Sequence, residues 1–420
     1  MKNASATKIY GYLAVNREKL NLASDKQPKI FVTEQFSLAD CKYLTRLAGL
    51  VIKDLGLTTP AMLQIKNCGL PYLIFGDLLV KDEKAKISGV DFVDGEAVVV
   101  DLENKQVSMA SGNDLSKKME NNSYMPASLL ESCWCFINHP EQVARLSDVA
   151  GIVIRSEDFL TTNQPTSAAL CSYLAGEKAA IAEFAAHHQE DYEIVFKQSA
   201  DRPIMIRLLD SALSELFPDS LFLQEKNVQL GNRGCRLAFT YPEIYQAQVR
   251  AIFQATLRTG YHGVIHIAVP MVSYQEELKR VKLLVEQVYR DCGAGINWKF
   301  GFTLETPRAI LVLNQLLDQA DFINLGFNDL TQLMCGFSRD DASRFLPVYI
   351  RQGVLPRDPF VYPDEVIWNF LQRALNQFAL NKDIFVPIHS QEHYGWWKKK
   401  LTGFKHVTYL CQAASYLNKK

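Results

Sequence analysis

Short apolar runs alternate with one-sided helical patterns along most of the chain. Runs of four to eight apolar residues predict buried strands, and apolar residues three and four positions apart predict helices. In the second half, the predicted strands are 133–138, 203–210, 265–271, 300–304 and 322–325. A helical region is predicted over 167–198, and another helix opens at Thr306-Pro307 with one apolar face formed by Ile310, Leu311, Leu313, Leu316 and Leu317. Strands that alternate with helices in this way predict a parallel α/β fold.

The first part of the chain predicts a smaller α/β domain. Its predicted strands are 30–33, 48–52 and 71–75, its predicted helices are 37–47 and 60–67, and a hairpin is predicted over 96–107. Residues 1–28 are polar and receive no assignment, and residues 110–130 are polar and rich in turn-forming residues, which is typical of a linker. The predicted organisation is an N-terminal segment at 1–28, a small domain at 29–109, a linker at 110–130 and a large domain at 131–420.

Polar residues follow the last two predicted strands. Glu305 comes directly after 300–304, and Asn328 and Asp329 come shortly after 322–325. The carboxyl ends of parallel strands meet at one edge of the sheet, so these side chains are expected to share a crevice. Two carboxylates and an amide suit Mg²⁺, and Arg339 offers a nearby positive charge. The alternative is that Glu305, Asn328 and Asp329 cap helices, a role in which Asn and Asp are common.

Composition narrows the function classes. With 420 residues the chain suits two domains, and a net charge of −1 with 22% charged residues gives no indication of binding to nucleic acid or to a membrane surface. No run approaches the ~18 apolar residues of a membrane span, and the N-terminus has no signal-peptide core. Nine cysteines occur without a CxxC pair, and Cys133 and Cys135, the closest two, are expected to point to opposite faces of a strand. Reduced, buried cysteines in a cytoplasmic protein are therefore predicted.

Three segments stand out together: Glu305-Thr306-Pro307, the run from Asn324 to Gln332, and the run NVQLGNRGCRL that begins at Asn227. They resemble the pyruvate- and PEP-binding barrel of the pyruvate phosphate dikinase and PEP-utilising enzyme family. The small domain resembles the swivelling phosphohistidine domain of the same family. The resemblance implies an α/β protein in which a small swivelling phosphohistidine-like domain is followed by a (β/α)8 TIM barrel.

The same resemblance implies a role for each matched residue. Glu305 and Asp329 match the family's metal ligands, which implies Mg²⁺ as the cofactor. Arg207 and Arg233 match arginines that grip phosphate and stabilise the enolate oxygen, and the planar, always ionised guanidinium suits that role. The remaining matched positions, which would orient the substrate, are Arg155, Gly326, Phe327, Asn328 and Arg339.

Departures from the family at three positions bear on the reaction. Pro60 stands where the family has its phosphoryl-carrying histidine, Ser390 stands where it has the cysteine that exchanges a proton with the enolate, and Phe327 replaces a threonine in the loop that receives the substrate carboxylate. Ser390 would need His389 or His393 as a base, although a lone histidine is more often structural than catalytic. No Gly-rich phosphate loop occurs in these 420 residues. These departures predict that the chain does not catalyse the dikinase reaction.

Three hypotheses follow. In the first, the barrel binds PEP, pyruvate or a related 2-oxo acid with Mg²⁺ and performs enolate chemistry without a phosphohistidine relay. In the second, it is a catalytically inactive relative that acts through a protein partner, and the arginines only pair with neighbouring acids such as Asp210 and Glu157. In the third, a separate protein supplies the phosphohistidine. The resemblance also implies a homodimer formed through the barrel.

Overall fold

The structure, a computed structural model, describes most of the chain in two compact units. The described residues are 8–15, 17, 20, 28–36, 40, 43, 47–53, 65, 70–102, 105–110, 127–146, 148–217, 225–293, 295–339, 341–342, 345–360, 362–379, 381–388 and 391–412. The units are Met1–Ala127 with Gln412–Lys420, and Ser128–Cys411. Pro60, Ser390, His389 and most of the predicted linker lie outside the described residues.

Two sheets form the first unit. Its strands are β1 Lys8–Ala14, β2 Lys29–Thr33, β3 Leu47–Ile52, β4 Tyr72–Ile74, β5 Leu79–Lys81, β6 Lys84–Ile87, β7 Val90–Val93, β8 Ala97–Asp101 and β9 Gln106–Met109. Six strands lie in the order β4-β3-β2-β1-β8-β9, parallel from β4 to β1 and antiparallel from β1 to β9, and β5-β6-β7 form a second, antiparallel sheet. In β2, Ile30 and Val32 join one apolar cluster while Phe31 joins another. Strand residues alternate between faces, so both faces of the large sheet are covered.

The strands predicted at 30–33, 48–52 and 71–75 and the hairpin at 96–107 are confirmed. The helices predicted at 37–47 and 60–67 lie largely outside the described residues. Residues 8–14 received no assignment, yet β1 lies in the middle of the large sheet, between β2 and β8. At Gly11 a Cβ atom would lie 2.8 Å from the carbonyl oxygen of Pro28. The close approach of these backbones therefore requires the glycine that makes this segment look weakly strand-forming.

Eight strands of the second unit close into a barrel. They are β10 Trp134–Ile137, β11 Gly151–Arg155, β12 Ile204–Arg207, β13 Ile265–Val269, β14 Trp298–Leu304, β15 Phe322–Leu325, β16 Asp383–Pro387 and β17 Val407–Gln412. Each strand pairs in parallel with the next from β10 to β17, and the ring is closed. Parallel strands covered on both faces are largely apolar, and β13 and β15 are buried at every position. The predicted (β/α)8 barrel is confirmed.

Helices surround these strands. They are α1 Ala127–Ser132, α2 Ser156–Thr162, α3 Gln164–Leu174, α4 Ala180–Gln198, α5 Leu213–Leu216, α6 Leu237–Thr240, α7 Pro242–Thr259, α8 Gln275–Cys292, α9 Pro307–Leu311, α10 Leu313–Leu317, α11 Phe327–Cys335, α12 Leu346–Arg351, α13 Glu365–Phe378 and α14 Gln391–Lys400. Within the described ranges, no helix is both long enough and apolar enough to cross a membrane.

Two predicted helices are divided in the structure. The region 167–198 contains α3 and α4, and Gly176 between them has φ +110°, outside the helical region. The helix predicted after Thr306-Pro307 breaks at Val312 into α9 and α10. The break turns Leu311 out to 71% exposure while Ile310, Leu313 and the later leucines stay buried. The expectation that Leu311 lies on the apolar face was wrong because the helical period does not continue through Val312.

Aromatic side chains fill the barrel near the amino ends of its strands. The ring of His266 lies 5.1 Å from that of Trp134, 5.2 Å from Phe322 and 5.5 Å from Phe385, measured between centroids. Burial lowers the pKa of His266 to about 4, and the charge of Lys299 lowers it further while Asp383 opposes the shift. The imidazole is therefore neutral at physiological pH and packs as an aromatic ring.

Cysteines contact one another where the first and last barrel strands meet. The Sγ atoms of Cys135 and Cys411 are 3.0 Å apart, and Cys133 also hydrogen-bonds to Cys411. The expectation that Cys133 and Cys135 point to opposite faces was wrong, because residues two apart in a strand share a face. All seven cysteines in the described part of the chain are free, and these three are fully buried. Their reduced, buried state agrees with the prediction.

The neutral His266 predicts sensitivity to acid. An unfolded chain protonates this imidazole near pH 6.5 and the folded chain only near pH 4, so the stability contributed by the neutral ring is lost as pH falls from about 6.5 to 4. Between pH 7 and pH 5 the wild type should lose about 2 kcal/mol more unfolding free energy than His266→Phe. Urea denaturation of both proteins at each pH measures the difference. Parallel pH profiles would contradict the prediction.

Candidate active site at the mouth of the barrel

Strand ends bring charged residues to one end of the barrel. Arg155 and Arg207 are the last residues of β11 and β12 and are paired in register. Glu305 directly follows β14, and Gly326 directly follows β15, with its N–H donating to the carbonyl oxygen of Leu304 at 3.1 Å. The predicted crevice is therefore formed at the carboxyl ends of these strands, where barrel proteins carry their sites.

A network of ion pairs crosses this end of the barrel. Arg207 pairs with Glu157 and, at 3.0 Å, with Asp210. Arg233 donates to the same carboxylate oxygen, with Nη2 2.8 Å from Asp210 Oδ2, and its Nη1 lies 3.4 Å from Asp329 Oδ1. Asp210 is only 1% exposed and therefore links both arginines inside the protein. Two of the predicted site residues, Arg207 and Arg233, are brought together by one acid that the sequence suggested only as a neutralising neighbour.

Ion pairing keeps the arginines and Asp210 of this network ionised. Burial lowers the pKa of Arg207, but the charges of Glu157, Asp210 and Glu305 outweigh burial and hold that pKa above its ordinary value. Burial raises the pKa of Asp210, but Arg233 and Arg207 outweigh it and keep the pKa below its ordinary value. Both guanidinium groups and the linking carboxylate are therefore charged in the folded protein.

Glu305 is buried beside this network of ion pairs. Its Oε1 accepts a hydrogen bond from the backbone N–H of Met271 at 2.6 Å, and the residue is 1% exposed. Burial, followed by the charges of Asp329 and Asp210, raises the pKa of Glu305 well above its ordinary value. A carboxylate in these surroundings is stabilised by additional positive charge.

Backbone geometry leaves little freedom around Glu305. Met271 has φ +57°, which a residue with a side chain rarely adopts. A Cβ atom on Gly326 would lie 2.4 Å from the Cβ of Glu305 and 2.5 Å from its Oε2. A Cβ atom on Gly234, which has φ +59°, would lie 2.7 Å from the Cβ of Met271. Glu305 is therefore fixed by two glycines and one left-handed residue.

The alternative reading, in which the acids cap helices, is wrong. The N-cap of α9 is Thr306, whose Oγ1 accepts from the N–H of Ala309 at 3.2 Å, while Glu305 bonds to Met271 instead. The N-cap of α11 is Gly326, so Asn328 and Asp329 lie inside that helix. Neither the Asn328 amide nor the Asp329 carboxylate is therefore at the N-cap position.

The mouth cluster carries more negative than positive charge. It comprises eight side chains, Arg155, Glu157, Asp158, Arg207, Asp210, Arg233, Glu305 and Asp329. Five carboxylates face three guanidinium groups, which is a formal excess of two negative charges. Glu157 Oε2 and Arg207 Nε are buried without a hydrogen-bond partner among the described residues. Buried polar atoms without partners are uncommon in folded proteins.

Three further predicted residues are Arg155, which belongs to the mouth cluster, and Asn328 and Arg339, which do not. Arg155 pairs with Asp158 at 3.0 Å, and Asn328 is half-buried in the first turn of α11. Arg339 has an exposed side chain, and its backbone N–H donates to Gln332 Oε1 at 2.9 Å. The structure thus brings Arg155 and Asn328 to the mouth and leaves the Arg339 side chain in solvent.

Phe327 belongs to an aromatic block. Its ring centroid lies 5.5 Å from that of Trp397 and 6.4 Å from that of Trp396, and both tryptophans pack on Trp368. Trp397 Nε1–H donates to His393 Nε2 at 2.7 Å. That nitrogen is therefore engaged by a tryptophan, and the catalytic role predicted for His393 stays a prediction.

Two contributors to the site were not predicted. Gln229 Oε1 accepts from Arg233 Nη1 at 2.8 Å, and Met271 bonds to Glu305 through its backbone. Gln229 lies four residues before Arg233 inside the run that begins at Asn227, so the motif itself offered a signal. Met271 contributes only its backbone N–H to this contact, so its residue type gives no signal in the sequence.

The fold and the mouth cluster define this unit as a (β/α)8-barrel protein with a buried, charged site at the carboxyl ends of its strands. Residues 143–358, about half of the chain, match the family described as PEP-utilising enzyme, PEP-binding domain. The chain belongs to the PEP-utilising enzyme family.

Two pyruvate, phosphate dikinases are among the sequence relatives of the chain. The chain is 36% identical over 219 residues to a chloroplastic pyruvate, phosphate dikinase of Mesembryanthemum crystallinum, and 34% identical over 227 residues to a chloroplastic pyruvate, phosphate dikinase 1 of Oryza sativa subsp. japonica. These matches cover 45% and 47% of this chain but only 23% and 24% of the relatives. Among solved structures, a citrate lyase from Burkholderia xenovorans LB400 matches 69% of this chain and 77% of its own, at 13% identity and a TM-score of 0.38.

Gly326→Ala should test the close packing around Glu305. The added Cβ would collide with the Glu305 side chain, so the free energy of unfolding should fall by ~1–3 kcal/mol. Gly395→Ala in α14 is the control, because a Cβ there meets nothing within 4 Å and alanine favours a helix. Urea denaturation measures both variants, and equal stabilities would show that Glu305 is not held as described.

Proposed function

We propose that the barrel binds PEP, pyruvate or a related 2-oxo acid together with Mg²⁺ and performs enolate-type chemistry without a phosphohistidine relay. The observation that carries this proposal is the mouth cluster, in which Arg207, Arg233 and Asp329 are joined through Asp210 beside the buried Glu305. The family assignment supports the PEP-binding part of the proposal.

The donor set fits Mg²⁺. No group of three or more His, Cys, Asp or Glu side chains that could hold a metal occurs in the described part of the chain. Mg²⁺ often uses only one or two protein carboxylates and completes its shell with water and substrate oxygens. Glu305 and Asp329 lie close enough for the charge of Asp329 to raise the pKa of Glu305, and the cluster contains five carboxyl groups against three guanidinium groups. These two carboxylates would hold the ion, which would polarise the substrate oxygens.

The protein groups have separate tasks in this proposal. Arg207 and Arg233 bind the anionic ligand and stabilise the oxygen on which the enolate charge develops. Asn328 and the backbone at Gly326 and Phe327 orient the carboxylate of the substrate. Arg155 adds positive charge at the rim, and Arg339 reaches the ligand only if its exposed side chain turns inward.

The proton at C3 of the substrate needs a separate group. Ser390 occupies the family's cysteine position, and a hydroxyl is a far weaker acid than a thiol with a pKa near ~8.5. His393 would have to release its bond from Trp397 to assist it. Enolate chemistry at this site is therefore proposed to be slower than, or different from, the reaction of the cysteine-containing relatives.

One observation favours the second candidate, a catalytically inactive barrel that acts through a protein partner. Arg233 already donates to Asp210, Gln229 and Asp329. An arginine satisfied by its own protein can serve structure alone. A cytoplasmic location, a homodimer through the barrel and a phosphohistidine supplied by another protein also stay predictions.

Metal-dependent ligand binding tests the proposal. Asp329→Asn removes a proposed metal ligand without changing its shape, so the affinity for oxalate or PEP in the presence of Mg²⁺ should fall roughly tenfold or more. Asp383→Asn is the matched control, because that acid pairs with Lys299 at 2.8 Å at the amino end of β16. Isothermal titration calorimetry with and without Mg²⁺ measures both. Equal affinities of Asp329→Asn and the wild type would remove Asp329 from the metal site.

Exchange of the methyl protons of pyruvate tests the chemistry. In D₂O with Mg²⁺ the wild type should catalyse exchange at C3, and Arg207→Gln should slow it about a hundredfold by removing stabilisation of the enolate oxygen. Arg280→Gln, which breaks an exposed pair with Glu276, is the control and should keep the wild-type rate. The decay of the methyl NMR signal gives the rates. Oxalate binding without any exchange would favour the inactive barrel.

A further inference from the structure

Side chains from the surrounding helices hold the backbone that follows β12. This short stretch carries Arg207 at its start and Asp210 three residues later. Ser156 Oγ on α2 donates to the carbonyl oxygen of Arg207 at 2.6 Å. From α7, Gln248 Oε1 accepts from the N–H of Leu209 at 3.1 Å, and Tyr245 OH donates to the carbonyl oxygen of Leu209 at 2.9 Å. Three of the polar backbone groups between the two charged residues are therefore fixed by side chains.

Tyr192 on α4 joins these side chains. Its hydroxyl lies 3.3 Å from Ser156 Oγ, 3.4 Å from Gln248 Nε2 and 2.8 Å from His188 Nε2. We call the five residues Ser156, His188, Tyr192, Tyr245 and Gln248 the β12 clamp. Each is at most 1% exposed. A buried polar network of this kind orders its surroundings only when its members are paired with one another.

Donor and acceptor roles in the clamp follow one direction. The Oε1 of Gln248 accepts from Leu209, so its Nε2 donates to Tyr192 OH. Ser156 O–H donates to the Arg207 carbonyl, so its oxygen is available to accept from Tyr192. Burial lowers the pKa of His188 to about 3, so the ring is neutral and carries one proton.

With that proton on Nε2, His188 donates to the Tyr192 hydroxyl. Tyr192 then donates to Ser156, and Ser156 donates to the carbonyl oxygen of Arg207. His188 Nδ1 then has no hydrogen-bond partner within the described ranges, but it carries no proton that would need one. The Tyr192 hydroxyl is the point at which the His188, Ser156 and Gln248 branches meet.

We infer that Tyr192 is a positioning residue for the anion-binding arginine Arg207, acting through the β12 clamp. This inference rests on the proposed function, in which Arg207 binds the ligand. Tyr192 touches neither the mouth cluster nor a ligand, because Ser156 stands between its hydroxyl and the Arg207 backbone. Loss of the hydroxyl leaves Ser156 without its donor and Gln248 Nε2 without its acceptor. The strand end then becomes free to shift, and Arg207 loses the fixed direction from which it meets the ligand.

The same strand offers a matched control. Tyr261 OH donates to the carbonyl oxygen of Arg202 at 2.7 Å and is 6% exposed. Arg202 lies just before β12 begins, so the hydrogen bond from Tyr261 fixes the backbone at the amino end of the strand. Tyr192 acts at the carboxyl end of the same strand, through Ser156. Tyr→Phe at either position removes one buried hydroxyl from the surroundings of β12. Both variants should lose similar thermal stability, which separates positioning from a general loss of stability.

Two measurements on the full-length protein compare Tyr192→Phe with Tyr261→Phe. Hydrogen exchange of the backbone amides of Leu208 and Leu209 should accelerate about three- to tenfold in Tyr192→Phe and stay at the wild-type rate in Tyr261→Phe. The Kd of oxalate with Mg²⁺ should rise about three- to tenfold in Tyr192→Phe only. In an Arg207→Lys background the effect of Tyr192→Phe on Kd should shrink, because the group that it positions is gone.

Each outcome decides the inference. Equal exchange rates in the two variants, or faster exchange without a change in Kd, would overturn a positioning role for Tyr192. If the wild type binds neither oxalate nor PEP with Mg²⁺, the proposed function fails. The exchange comparison then decides separately whether the clamp orders the end of β12.

Discussion

Buried charge is the constraint on which the barrel mouth depends. Moving an ionised group out of water is unfavourable by several kcal/mol unless partners replace its hydration. Asp210 replaces part of the lost hydration of two arginines at once, because this carboxylate, only 1% exposed, pairs with both Arg207 and Arg233. The strand ends, the β12 clamp and the loop at Met271 all hold groups in positions that this pairing requires. Glu305 alone among the cluster lacks a direct arginine partner in the described contacts and relies on a backbone N–H.

Much of the fold could be predicted because its signals are local. Buried parallel strands such as β13 are apolar at nearly every position, and a charged residue at the end of such a run marks the strand end. The confirmed barrel and the positions of Arg155, Arg207 and Glu305 follow from this rule and from the motifs. The predicted roles of these residues go beyond what the fold determines and rest on the experiments.

The features that escaped prediction depend on contacts between distant segments. β1 contains a glycine at the place where the backbone of Pro28 approaches, so local propensity pointed away from a strand. The break at Val312 turns Leu311 outward although its spacing matches a buried helix face. The N–H of Met271 bonds to Glu305 from a left-handed backbone conformation, which methionine does not favour and which the sequence therefore does not predict. Tyr192 and His188 read as helix-core residues, and only the three-dimensional structure shows their link to Arg207.

Closure of the barrel has a consequence for how the protein is made. The contact between Cys135 and Cys411 joins residues 276 positions apart in the chain. At about 5–20 residues per second, a ribosome needs roughly 14–55 s to add the last strand after the first. During that interval the apolar edge of β10 has no partner, and the aromatic interior around Trp134 lacks Phe385. Unpaired strand edges and exposed apolar side chains favour aggregation, so the nascent chain is most prone to associate with other chains before its last strand is made.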